Sequence, residues 1–346
     1  MELIPGELYF IRERDPLTRE TSNYVKIGLV KDNGGRTSDE RLDEHQTGNP
    51  RDLIIHERIS APAIIQIETT MHGIYAPLRV NGEWFLFNED QLIDAIDTAK
   101  LLATEAHKNL EKLTRSEALA KETSSYEVLQ KTDETEALYE QYVALQAVTK
   151  EYEKLKNEFD VLVSEAIKSG EDIGNIATNQ LRIQNKFDEK LFQTEHPDLY
   201  EMFLVPKERI SGRFTMMKYK AEIDLKTVNP EFYLLTLSFK ESLATYGTEE
   251  GGNHKLHSLH RQLLSLYTRA VWEKELIEAA IKYACGVSKE IVGICKWNRE
   301  VKTSNSFDKK KFEENHPDLF EKYLVEKVST AVIVDRKRQY SDEEES

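Results

Sequence analysis

Residues 8–30 read LYFIRERDPLTRETSNYVKIGLV. Two short apolar runs, 8–11 (LYFI) and 24–30 (YVKIGLV), are rich in aromatic and β-branched types and predict strands. The polar segment between them holds a proline and predicts a hairpin loop. Working outward, 31–36 (KDNGGR) is a turn signal, and Thr37 followed by Glu40 has capping-box spacing, predicting a helix from about Ser38 to Gly48. Residues 53–59 (LIIHERI) and 83–87 (EWFLF) predict further strands, and 62–75 a second helix. The expected fold of residues 1–97 is an α+β module: a three-stranded antiparallel sheet with flanking helices.

At 346 residues the chain is long enough for two or three domains. The formal charge is −15. Residues 1–100 hold 11 Lys/Arg against 18 Asp/Glu, and the remainder 36 against 44, so neither part is a basic body. That argues against strong non-specific nucleic-acid binding, although a local cationic site can still hold a phosphate. Cys285 and Cys295 match no zinc or redox spacing and read as reduced core thiols, which suits a cytoplasmic location. The opening MELIPGELYF lacks a basic region followed by a long apolar run, so no signal peptide is expected. No apolar run approaches bilayer length, so no membrane partner is expected.

Beyond residue 97 a mainly α-helical region with a tandem repeat is expected: a helical connector at 98–133, a first repeat unit at 134–227, and a second at 228–346 that ends in an acidic tail. Within 134–169, Leu138, Leu145, Tyr152, Phe159 and Ala166 recur every seven residues, with Val148, Leu155 and Leu162 in companion positions. This is a coiled-coil or helical-hairpin seam, suited either to self-association or to packing within the chain. Residues 187–205 (FDEKLFQTEHPDLYEMFLV) and 307–325 (FDKKKFEENHPDLFEKYLV) agree at 11 of 19 positions at an offset of 120. Pro197 and Pro317 occupy places where the first turn of a helix tolerates proline.

Phosphodiester cleavage needs a base, a cation for the developing charge and usually a metal on the leaving oxygen. Tyr9 on the first strand and Lys26 on the second are candidates for one unit, the ammonium favouring the phenolate. Arg41 and His45, four apart, share a face of the first helix, and Glu68 and His72 share a face of the second. Glu68 is a candidate ligand for a hard cation, since Mg²⁺ commonly takes one or two protein carboxylates. His72 reads as structural.

Taken in order, these residues resemble the GIY-YIG nuclease superfamily. Leu8-Tyr9-Phe10-Ile11 resembles its first motif, and Lys26-Ile27-Gly28 its second, with lysine where the second tyrosine stands. Arg41-Leu42-Asp43-Glu44-His45 is similar to the following Arg-x-x-x-His helix, and Glu68 falls at the metal-ligand glutamate. Gln46-Thr47-Gly48-Asn49-Pro50 and Gly82-Glu83-Trp84-Phe85 resemble the branch named after a bacteriophage T5 open reading frame, often labelled DNA-binding. The similarity covers residues 6–97.

The resemblance implies a Mg²⁺- or Mn²⁺-dependent endonuclease acting on DNA, with RNA a further candidate, of phage, mobile-element or phage-defence origin. It implies Tyr9 as general base tuned by Lys26, Arg41 on the scissile phosphate, His45 assisting and Glu68 on the metal. The first motif lacks its glycine, and Gly73-Ile74-Tyr75 is a decoy with no second strand after it. Arg36, in the turn, is an alternative to Arg41. A non-catalytic DNA-binding module on this fold and a helical assembly protein are the rival readings. In the second half, His254, His257 and His260 at three-residue spacing converge poorly for zinc. Trp297 with Lys289, Lys296, Arg299 and Lys302 reads as a solvated face or a nucleic-acid contact.

Overall fold

A computed structural model describes residues 2–170, 176–219, 221–245 and 252–334. The first part contains β1 (Gly6–Arg14), β2 (Thr21–Lys31), α1 (Ser38–Gln46), β3 (Asp52–Ala61), α2 (Ile64–Ile74), β4 (Arg79–Asn81), β5 (Trp84–Leu86), α3 (Glu89–Lys108) and α4 (Leu110–Leu119). The sheet has five strands in the order β3-β1-β2-β5-β4, not three. The three expected strands form its long antiparallel centre, and β5 and β4 extend the far edge. β5 falls within the strand expected at 83–87, whereas β4, also three residues long, is too short for period-two alternation to separate it from loop.

Alternation sorts the two faces. Leu8, Phe10, Val25, Ile27 and Phe85 face α2 and α3 and form the main core. Tyr9 and Ile11 face the other way, toward Leu42 of α1. α1 starts as its sequence dictates: Thr37 and Glu40 close a full capping box. The same core takes in Ala99, Leu102, Ala103 and Ala106 from α3. The boundary expected at 97 therefore falls inside a 20-residue helix.

The rest contains β6 (Val128–Leu129), α5 (Asp133–Ser169), β7 (Ala177–Phe187), α6 (Glu189–Glu195), α7 (Pro197–Met202), β8 (Leu204–Ser211), β9 (Thr215–Met216), α8 (Leu225–Val228), α9 (Pro230–Ala244), α10 (Gly252–Cys285), β10 (Glu290–Ile291), β11 (Cys295–Lys296), β12 (Glu300–Phe307), α11 (Lys309–Asn315), α12 (Pro317–Lys322) and β13 (Leu324–Val334). The overall class is mixed α+β: a sheet with helices, then a helical region. α5 and α10 run antiparallel, Thr149 meeting Lys274, Tyr152 stacking on Tyr267 and Phe159 on His260. The heptad seam of 134–169 is therefore filled within the chain by α10 and α9, and is not a free face for self-association. His257 and His260 are core residues, and the His254 side chain lies outside the described residues. Among the described residues no group of three or more His, Cys, Asp or Glu could hold a metal, and no helix is long and apolar enough to cross a membrane.

The similar segments are not helical units of the expected kind. Each is strand–helix–helix–strand, β7-α6-α7-β8 and β12-α11-α12-β13, and the strands pair across the two copies. β7 pairs with β13, and β8 with β12, both antiparallel. A shared aromatic core binds them: Phe187 stacks on Phe320 and Phe307 on Tyr200, each pair at 4.7 Å between ring centroids. The acidic tail expected at the end of the second unit lies outside the described residues. Cys285 and Cys295 are both buried, and the Cys285 thiol donates to the Ser288 carbonyl at 3.2 Å. Trp297 and Arg299 are also buried, with the guanidinium 3.8 Å from the indole centroid, so only Lys289, Lys296 and Lys302 of that set can meet a ligand.

Candidate functional site

Tyr9 sits on the central strand opposite Gly28. A Cβ on Gly28 would stand 2.4 Å from the Tyr9 Oη and 2.6 Å from its Cζ, so the ring lies flat over the position where β2 has no side chain. Glycine in the Lys26-Ile27-Gly28 stretch makes room for the tyrosine of the first strand. The Tyr9 hydroxyl lies beside the Arg41 guanidinium from α1, and the two line the same cleft. Arg41 is also paired to Glu44, and Arg36 reaches the same Glu44 at 3.4 Å. Arg36 thus buttresses the cluster from outside, and Arg41 is the arginine that faces Tyr9.

β5 stops pairing with β2 at Lys26–Trp84, and the Ile27 amide donates to the Glu83 carbonyl at 3.0 Å. Beyond that point no strand among the described residues pairs with this edge of β2. α2, packed on β2, brings Glu68 to this open edge. There Tyr9, Leu29, Lys31, Arg41, Ile65, Glu68 and Glu83 line a cleft of about 340 Å³. Residues from β1, β2, α1, α2 and the turn before β5 thus meet in one place.

Lys26 and His45 stand beside the cleft and not in its lining. Lys26 is buried and its ammonium is paired with Glu83, not with Tyr9. The expected Tyr9–Lys26 unit is replaced by Tyr9–Arg41 and Lys26–Glu83. Register explains why: Lys26 lies opposite Ile11, a full side-chain repeat along the face from Tyr9. His45 has its Nε2 buried without a hydrogen-bond partner among the described residues.

The electrostatics follow from this arrangement. Burial raises the Tyr9 hydroxyl above its ordinary value, Arg41 opposes it, and the Glu83 and Glu68 carboxylates reinforce it. Glu68 is pushed up to about 7, first by burial and then by repulsion from Glu83, with Lys26 and Lys31 opposing. His45 is lowered by burial and by Lys26 and Arg41, so its imidazole is neutral at physiological pH and available as a proton acceptor. Glu68 and Glu83 are hard oxygen donors whose mutual repulsion a divalent cation would relieve, and one or two carboxylates suffice for Mg²⁺. The donor chemistry therefore fits that ion, with Glu68 as the holder.

His72 Nε2 donates to the Ile27 carbonyl at 2.9 Å and packs on Phe85, a structural role. Tyr75 of the decoy triplet gives its hydroxyl to Asp94 at 2.6 Å, within the α3 core and away from the cleft. Two cleft residues, Glu83 and Lys31, carry no motif of their own. Glu83 could be found only through the Gly82-Glu83-Trp84-Phe85 stretch, and Lys31 only as the last residue of β2.

Nothing among curated proteins and no solved structure matches the chain. Residues 8–100, which hold every residue of the cleft, match the sequence model of the T5orf172 domain, so this segment, under a third of the chain, is similar to that domain.

Proposed function

We propose that the cleft is the active site of a GIY-YIG-type endonuclease that hydrolyses DNA phosphodiesters with Mg²⁺ or Mn²⁺, in a cytoplasmic protein of phage, mobile-element or phage-defence origin. The observation that carries this reading is the convergence of Tyr9, Arg41 and Glu68 from a strand and two helices onto one cleft. Arg41, which lines the cleft with Tyr9, would hold a phosphate oxygen beside the base, so substrate binding and proton acceptance would share one guanidinium. Tyr9 is the base of this reading. Neutral His45 is the group that would take its proton, since a Glu68 carboxylate holding a cation no longer has a raised affinity for protons. Lys26 keeps Glu83 in place as the second acidic wall. Glu68 would hold the cation, which when bound would stabilise the negative charge that develops on the leaving oxygen.

The test is plasmid cleavage with Mg²⁺ or Mn²⁺, comparing wild type with Glu68→Ala. Loss of cutting in Glu68→Ala, with DNA retained on the protein, supports the reading. Equal cutting by both overturns it. One observation favours a second reading, a non-catalytic DNA-binding module: burial and two carboxylates hold Tyr9 protonated, and Lys26 is spent on Glu83. Wild type that binds DNA and cuts with neither metal selects that reading.

A further inference from the structure

The paired strands β7–β13 and β8–β12 carry a charge pattern that the cleft does not use. Both ladders are unbroken, so directly opposed residues share a face. On one ribbon Arg182, Lys186 and Lys327 fall on one face. On the other Lys207, Arg209 and Lys302 do the same. All six are exposed. Between 182 and 186, 205 and 209, 302 and 306, and 325 and 329, these faces hold no acidic residue, and their other positions are Ser, Gln or Val. Glu300 joins the second face only at its far end, where Asn298 donates to it. The opposite faces carry no basic residue over the same span and hold Glu208 and Glu326.

The offset of 120 that relates the two copies carries one basic face onto the other. Arg182 corresponds to Lys302, and Lys207 to Lys327. The two faces therefore occupy equivalent places on the paired unit. Among the described residues Lys186, Lys207, Arg209, Lys302 and Lys327 form no ion pair, although the chain has 62 acidic residues against 47 basic ones. A face that served solubility alone would mix signs. Two-stranded ribbons are also marginal on their own, and a groove-binding or backbone-binding partner is one way to cover them. Duplex nucleic acid fits both features, because its grooves admit a two-stranded ribbon and its phosphates are neutralised by Lys and Arg.

The geometry points to the basic faces of the β7–β13 and β8–β12 ribbons as a second nucleic-acid contact, gripping the phosphate backbone of duplex DNA without reading its sequence. This shares with the nuclease reading only the choice of partner, and it does not require the cleft to cut. The contact gives an acidic protein a local means of holding a polyanion, and it lies on elements far along the chain from the cleft.

The experiment measures binding of the full chain to a fluorescent duplex of about 30 base pairs by anisotropy, across a salt series. One triple variant is Lys207→Glu, Arg209→Glu, Lys302→Glu; the other is Arg182→Glu, Lys186→Glu, Lys327→Glu. Each should weaken binding at least about tenfold and lower the salt slope by about 3, near one for each lost phosphate contact. The Gln versions should show the same trend to a smaller extent, which guards against misfolding of the reversed-charge forms. Thr303→Glu with Asn305→Glu, on the opposite face, should leave the slope unchanged. Unchanged affinity in both triple variants overturns the inference, as does equal retention of a single strand of the same length. Cutting by a triple variant at saturating duplex, with weakened affinity, keeps the two readings separate. If wild type cuts nothing and the triple variants still lose affinity, the nuclease reading falls and this one stands.

Discussion

The tightest constraint at the level of single residues is the Tyr9–Gly28 contact. Gly28→Ala places a methyl carbon inside the Tyr9 ring position, so ring or strand must move. Overpacking of this kind costs about 1–3 kcal/mol, and here it also pulls the hydroxyl away from Arg41. Thermal unfolding and cleavage should both fall in Gly28→Ala, and wild-type values for both would sink the contact. Glu68 makes a pH-dependent prediction. Its carboxyl ionises near 7 in the folded chain against 4.5 ordinarily, so between these values the folded state holds more proton than the unfolded one. Stability contributed by Glu68 is then present below about 4.5 and lost as pH rises to about 7, amounting to roughly 3 kcal/mol. Glu68→Gln should therefore stabilise the metal-free protein at pH 8 and do little at pH 4.5, and excess Mg²⁺ should stabilise wild type more than the variant. An equal effect of the substitution at both pH values would show that Glu68 is not held in this way. Tyr9, Arg41 and Glu68 stood out in the sequence through the order of the motifs that carry them, since the pattern of each element taken alone singles out none of them. The Lys26–Glu83 pair did not, because its partners are 57 residues apart and joined only when β5 docks on β2.

At the scale of elements, α1 is held mainly by its ends. Only Ser38 is fully buried, so little apolar area anchors the helix that delivers Arg41. The Thr37 capping box then carries an unusual share of its stability. Thr37→Ala should cost about 1 kcal/mol and, through a frayed Arg41, should reduce activity more than a surface change of equal size. Cleavage measured beside thermal unfolding checks this; an activity loss no larger than that of an exposed Ser→Ala elsewhere would refute it. Long helices and central strands were readable from periodicity, as α5 and β1–β3 illustrate. The arms were not. The 19-residue similarity was visible, but nothing in one copy says that its strands pair with the other copy, since that depends on aromatic contacts such as Phe187–Phe320 across 133 positions. Phe192 and Phe312 touch at 4.6 Å at the centre of this exchange and are both fully buried. Phe312→Ala should destabilise the paired unit by about 3–5 kcal/mol while sparing the cleft, so arm unfolding without loss of N-terminal sheet signal is the expected outcome.

At the scale of the whole molecule, the sheet module is not self-contained. Trp272 of α10 is fully buried in the core that Leu8, Phe10 and Phe85 begin, and its indole N–H donates to Glu105 at 2.7 Å. Arg261 of the same helix donates to the Arg79 carbonyl at 3.1 Å, and Thr268 packs where Gly73 has no side chain. α10 is also the partner of α5, and its last residues lie beside the small sheet of β6, β10, β11 and β9. One 34-residue helix therefore ties the cleft module, the helical pair and the approach to the ribbons into one structure. A chain cut near residue 97 should then expose the apolar face that Trp272 covers and leave α3 broken within its own core. Trp272→Ala makes the same point in the intact protein. Removing a buried tryptophan costs about 3–5 kcal/mol, and the loss should appear as weakened N-terminal sheet packing although residue 272 lies far outside the segment similar to the T5orf172 domain. Hydrogen exchange resolves this by location. Faster exchange in β1, β2 and α2 of Trp272→Ala is the expected result. Faster exchange confined to α10, with β1 and β2 unchanged, would show that the sheet module stands alone and that the helix merely leans on it.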